Sequence, residues 1–168
     1  KEKRPVALIL TRQGVPVIDR EKYAPPHLIR KGGYIIADCK NPDVIIFATG
    51  SEVPLALEVH EFLEEKGISS RVINLASWEI FEEQDESYKK EVLGDEENAL
   101  RVVIEAASPF GWAKYVGRDG IFICVETFGA SAPYKVIKEK FGFTKEKIAE
   151  KIIQKLNEKI NQKIMLKN

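Results

Sequence analysis

The chain's 168 residues, 44% apolar and 31% charged, are enough for one domain with a substantial buried core. Its 26 basic and 26 acidic side chains cancel and are interspersed, which leaves no basic field to draw in nucleic acid. No run approaches the ~20 apolar residues of a membrane span, and no signal-peptide stretch opens the chain, so neither a membrane nor an export role is predicted. The two cysteines, Cys39 and Cys124, lack metal-ligand spacing and read as reduced thiols of a cytoplasmic protein.

Residues 6–10, Val-Ala-Leu-Ile-Leu, read as a buried strand. Nothing before them could bury it, and the chain opens without a methionine, so a piece of a longer protein is expected. Thr11-Arg12-Gln13-Gly14 follows at the carboxyl end of this strand, where ligand-binding groups gather in open α/β sheets. Arg12 is the leading site residue. A guanidinium between two hydrogen-bonding side chains suits a phosphate or a carboxylate, with a structural ion pair as the alternative. Residues 15–31 hold three prolines and no apolar register, the composition of an inter-domain linker. The predicted organisation is therefore a terminal strand of a preceding domain over 1–14, a linker over 15–31 and one α/β domain over 32–168.

Residues 34–38 form a short predicted strand, joined to the next by the tight turn Lys40-Asn41-Pro42-Asp43, so an antiparallel edge position is expected. Residues 43–75 are the organising unit. Val44-Ile45-Ile46-Phe47 is an apolar, β-branched run suited to a strand covered on both faces. From Glu52 the period changes: Leu55, Ala56, Val59, Phe62 and Leu63 share one helical face, and Gly67 stops the helix. A second strand over 71–75 so soon after implies parallel pairing. Residues 76–84 show no sustained period, 85–93 read as a helix and 94–98 as a loop. Two further strands, 100–104 and 121–125, flank a turn at Gly117-Arg118-Asp119-Gly120. Pro133 opens a helix running to Lys140, and Thr144 caps the last one. In that helix Ile148, Ile152, Leu156, Ile160 and Ile164 recur every fourth residue, so their stripe slides ~40° per step and one flat sheet covers it only through about Leu156. Residues 144–168 carry seven Lys against three Glu, read as a solvated face rather than a partner-binding tail.

Other candidate chemistry is sparse. Gly50-Ser51 opens a helix and could hold an anion, although Ser51 capping its own helix is the commoner arrangement. His60 flanks an apolar face without a second ligand at i+4 and reads as structural, His27 falls in the linker, and Glu105 stands just past a strand with no nucleophile or base beside it in sequence. No phosphate-binding loop, nucleophile elbow or dinucleotide fingerprint occurs.

Several stretches taken together resemble the C-terminal part of the transketolase family. They are Leu-Ile-Leu-Thr-Arg-Gln, Arg-Lys-Gly-Gly-Tyr-Ile-Ile-Ala-Asp-Cys, Ile-Ile-Phe-Ala-Thr-Gly-Ser-Glu-Val-Pro-Leu-Ala, Trp-Ala-Lys-Tyr-Val-Gly and Thr-Phe-Gly-Ala-Ser-Ala-Pro, in the family's order across residues 5–156. The resemblance implies a three-layer α/β/α domain with a mostly parallel five-stranded mixed sheet and one antiparallel edge strand, preceded by the last strand of a pyrimidine-binding domain. It also implies a homodimeric parent enzyme of the pentose phosphate pathway. That enzyme moves a two-carbon ketol unit from a ketose phosphate to an aldose phosphate, using thiamine diphosphate and a divalent metal, Mg or Ca. The family's Ser-Arg-Gln arginine, which contacts the sugar phosphate, falls on Arg12, with Thr11 keeping the hydroxyl. Gly117-Arg118-Asp119-Gly120 departs from the family's Gly-Asp-Gly metal motif by an inserted arginine and is read as a turn. The family's metal motif and catalytic groups belong to other segments, so this piece is expected to bind no cofactor and to be inactive alone, serving the fold and the dimer. The alternatives are a free-standing anion-binding module, or the third domain of deoxyxylulose-phosphate synthase or of a keto-acid dehydrogenase β chain.

Overall fold

The computed structural model describes residues 5–94 and 98–165. Five strands form one sheet in the order β1-β3-β2-β4-β5: β1 is Gly33–Ala37, β2 Val44–Ala48, β3 Ser70–Leu75, β4 Leu100–Glu105 and β5 Ile121–Cys124. β2 to β5 pair in parallel, and β1 lies antiparallel to β3 at the edge. The predicted edge position of β1 is thus found, although its neighbour is β3 and not the strand next in sequence. β2 sits at the centre, and all five of its residues are buried, as its unbroken apolar run requires.

The pleat sorts the core into two halves. Val44, Ile46 and Ala48 pack with Leu55, Ala56, Val59 and Leu63 of α1 (Val53–Glu64), and with Ile148, Ala149 and Ile152 of α6 (Lys145–Met165). Ile45 and Phe47 point the other way. There they meet Phe81 of α2 (Trp78–Glu82), Val92 of α3 (Glu86–Leu93) and Tyr115 and Val116 of α4 (Ala113–Val116). The remaining helix, α5 (Tyr134–Lys140), buries none of its residues. The three-layer arrangement expected from the resemblance is the one observed.

Gly67, with φ +75°, ends the α1 turn as predicted, and its N–H donates to the Glu64 carbonyl. On α6 the sliding stripe behaves as its geometry dictates. Ile148 and Ile152 are fully buried, Leu156 is half-buried, and Ile160 and Ile164 are 55% and 54% exposed. Thr144 caps this helix, accepting from the Lys147 N–H at 3.4 Å. The predicted loop at 94–98 falls partly outside the described residues.

One sequence expectation changes at the amino-terminal end. Residues 6–10 form no strand, and Val6, Leu8, Ile9 and Leu10 are largely exposed, because no described strand pairs with them. The proline-rich stretch 15–31 carries only a 3-10 turn, Pro26–Lys31, yet it is not loose. Ile18, Tyr23, Ala24 and Leu28 pack on the α1 side of the core, the Ala24 N–H donates to the Ile36 carbonyl, and the Tyr23 hydroxyl donates to Glu61 at 2.6 Å. Lys22 pairs with the same carboxylate.

Candidate functional site

The carboxyl ends of β2 and β4 are neighbours in the sheet, with Ala48 level with Ile104, so the residues that follow each strand emerge side by side. After β2 the chain makes a 3-10 turn, Gly50–Glu52, before α1 begins; after β4 it enters the 106–112 loop. Between these ends, the 129–141 segment and residues 5–16 lies a cleft of about 1180 Å³. Gly50, Ser51, Glu52, Glu105, Ala130 and Lys138 line it.

Two carboxylates dominate this cleft. Glu52 is 8% exposed, accepts from the Ser51 hydroxyl at 2.8 Å, and faces the Ala106 backbone N–H and Lys138. Burial nevertheless raises its pKa above the usual carboxylate value. For Glu105, burial first and the Glu52 charge second push the carboxyl up to about 7, while the Trp112 indole N–H beside it holds it down only in part. Beside them, burial pushes the Cys124 thiol up to about 12, so it is neutral and unreactive at neutral pH.

This geometry corrects the expectation at Ser51. Its hydroxyl donates to Glu52 and caps no helix N–H, because the 3-10 turn intervenes before α1. The same turn is a poor anion site, since a phosphate there would meet Glu52 and Glu105 with only Lys138 in compensation. The free-standing anion-binding alternative loses its site accordingly. His60 is structural as expected: its Nδ1 lies 2.8 Å from the Ser70 hydroxyl, and burial lowers its pKa and keeps it neutral. Gly117, with φ +74°, opens a turn after α4, and His27 is exposed. Arg12 is exposed, and Thr11 and Gln13 on either side of it line the cleft. Glu52 escaped the sequence reading. The signal was there in the parallel register, which puts any residue just past β2 beside the end of β4.

The profile of the family described as "Transketolase-like TK C-terminal domain" matches residues 32–144, from the turn before β1 to the cap of α6. The chain belongs to the transketolase family. The transketolase of Aquifex aeolicus (strain VF5) is 56% identical over 146 residues, which are 86% of this chain and 21% of that protein. The transketolase of Staphylococcus aureus (strain MW2) is 45% identical over 148 residues, 88% of this chain and 22% of that one. This chain thus spans about a fifth of the length of the curated transketolases it matches. Among solved structures, a transketolase mutant from Pichia stipitis superposes with a TM-score of 0.78 at 34% identity, covering 87% of this chain and 20% of that chain. A structure titled "Split gene transketolase, inactive beta4 tetramer" gives 0.62 at 25% identity, covering 87% of this chain and 48% of the other.

Proposed function

We propose that this chain is the C-terminal part of a cytoplasmic, homodimeric transketolase, and that it supports the fold and the dimer without catalysing alone. The parent enzyme would transfer a two-carbon ketol unit from a ketose phosphate to an aldose phosphate. The carrying observation is the family match over residues 32–144, in a chain that spans about a fifth of the length of the relatives it matches. Thiamine diphosphate supplies the nucleophilic carbon in such an enzyme, assisted by a divalent metal. In this reading both are held by other segments, to which the family's metal motif and catalytic groups belong. Inactivity of the piece alone has a parallel in the split-gene relative, whose structure is described as an inactive tetramer.

Residues 1–14 are assigned, in this reading, to the end of the preceding pyrimidine-binding domain, and 15–31 to the connection. Arg12 would hold the sugar phosphate through charge-assisted hydrogen bonds, with the Thr11 hydroxyl beside it. A chimera tests this: the Aquifex aeolicus transketolase with its C-terminal part replaced by this chain. Ketol transfer by the chimera, and none by the chain alone, is the expected result; a folded chimera without activity would overturn the proposal. In the active chimera, Arg12→Gln removes a charged hydrogen bond and should raise KM for sugar phosphates by about 10–100-fold. An unchanged KM would remove Arg12 from the site. Calorimetry of the isolated chain with thiamine diphosphate and sugar phosphates should show no saturable binding.

A further inference from the structure

β1 is an end strand, and an end strand with an open outer edge is a template for another chain. Its residues, Gly-Tyr-Ile-Ile-Ala, include no charge and no proline to discourage such pairing. The ladder to β3 skips Ile36, where the register shifts between Ile35 and Ala37, and the Ile36 carbonyl accepts instead from the Ala24 N–H at 3.0 Å. That donor lies in the stretch that precedes the residues matched by the family profile. We propose that residues 18–28 guard the edge of β1, keeping two copies of this chain from joining their sheets there.

The stretch is fastened on its inner side. Ile18, Tyr23, Ala24 and Leu28 pack into the same half of the core as Tyr34 and Ile36 of β1, which are each 2% exposed. The Tyr23 hydroxyl donates to Glu61 of α1 at 2.6 Å, and Lys22 pairs with the same carboxylate. At the far end, the Lys31 ammonium lies 4.9 Å from the centre of the Tyr88 ring of α3, and the Gly32 carbonyl accepts from the Ser77 N–H, just before α2, at 2.9 Å. These anchors reach helices on both faces of the sheet. On the outer side the stretch offers little to a further strand. Glu21, Lys22, Pro25, Pro26 and His27 are all exposed there. The prolines have no N–H, and both backbone groups of Ala24 are taken, its N–H by Ile36 and its carbonyl by the Arg20 guanidinium at 2.7 Å. An incoming chain therefore meets charges and absent donors instead of a ladder. The other end strand, β5, has four residues, with Arg118 and Asp119 before it and Glu126 after it, so brevity and flanking charge serve at that edge.

The test uses the full 168-residue chain and does not depend on the transketolase assignment, which the chimera tests separately. Tyr23→Ala combined with Leu28→Ala removes two of the packed side chains and the hydroxyl bonded to Glu61, while β1 itself is unchanged. As concentration rises, the apparent mass of this variant in sedimentation should roughly double relative to that of the unmodified chain. Isotope-filtered NMR on mixed labelled and unlabelled copies should then show contacts between the β1 backbones of two chains, and none for the unmodified chain. If the double variant does not fold, Lys22→Ala combined with Tyr23→Phe breaks the two anchors on Glu61 without removing a packed ring, and it should give the same β1 contacts at higher concentration. A folded variant that associates no more than the unmodified chain, or that associates without contacts at β1, would overturn the proposal.

Discussion

Replacing Gly32 with alanine should be among the most damaging single-methyl additions to this fold, and Gly67 supplies its control. Gly32 has φ +79° and ψ −40°, a region that a Cβ-bearing residue adopts only under strain. An added Cβ there would meet the Phe81 N at 2.4 Å, the Ser77 O at 2.5 Å and the Ile80 C at 2.9 Å. All three are backbone atoms, so no rotamer change relieves the clash, and the turn entering α2 must move. The Gly32 carbonyl also accepts the Ser77 N–H at 2.9 Å, so the shift disturbs a hydrogen bond as well. Gly67 has a similar φ of +75° but nothing within 4 Å of an added Cβ. Gly67→Ala therefore carries the backbone term alone, about 1–2 kcal/mol. Gly32→Ala adds overpacking of about 1–3 kcal/mol, for a total of roughly 2–5 kcal/mol. Urea denaturation followed by tryptophan fluorescence measures both, since Trp78 and Trp112 lie on the α2 and α4 side of the sheet. If Gly32→Ala proved no more destabilising than Gly67→Ala, the close approach of α2 to the β1 entry turn would be refuted.

On α6, Ile152→Ala should cost about 2–5 kcal/mol because Ile152 is fully buried, while Ile160→Ala, at 55% exposure, should cost no more than about 0.5 kcal/mol; denaturation midpoints of the two variants decide. Ser77→Ala removes the side chain that accepts from the Ile80 N–H at the start of α2 and should cost about 1 kcal/mol in the same assay. Glu61→Gln weakens the carboxylate that holds both Lys22 and Tyr23, so hydrogen exchange over 19–24 should accelerate while the strands remain protected. At pH 8 Cys124 should react with iodoacetamide far more slowly than a free cysteine, because its thiol is pushed up to about 12; rapid labelling timed by mass spectrometry would contradict its surroundings.

What could be read from the sequence was whatever a period or a stop signal encodes. The β2–α1–β3 unit announced itself because the apolar spacing changes abruptly at Glu52 and ends at Gly67, and the α6 stripe carried its own limit in a 40° drift per step. The short helices α2 and α4 did not, since five and four residues complete too little of a period to register, and their aromatic side chains find partners in one another, on one face of the sheet, only once the chain has folded. Residues 6–10 show the converse error: β-branched and apolar composition signals strand propensity, but a ladder needs a neighbour that composition does not supply. The Glu52–Glu105 pair required knowing that β2 and β4 lie side by side, although β3 comes between them in sequence. Arg12 was reached by resemblance and by its position after an apolar run, and its role rests there.

The reversed direction of β1 also determines where the chain enters this domain. Because β1 is antiparallel, its first residue, Gly33, lies opposite Leu75, the last residue of β3. Whatever precedes residue 33 therefore arrives at the carboxyl end of the parallel strands, the end that carries the two carboxylates. A parallel β1 would move that entry to the opposite end of the strands, about 17 Å away for five residues of strand. Thr11 and Gln13 can line the cleft because the domain is entered from this side, and the orientation of one short edge strand thereby fixes which of its two ends faces upstream chain.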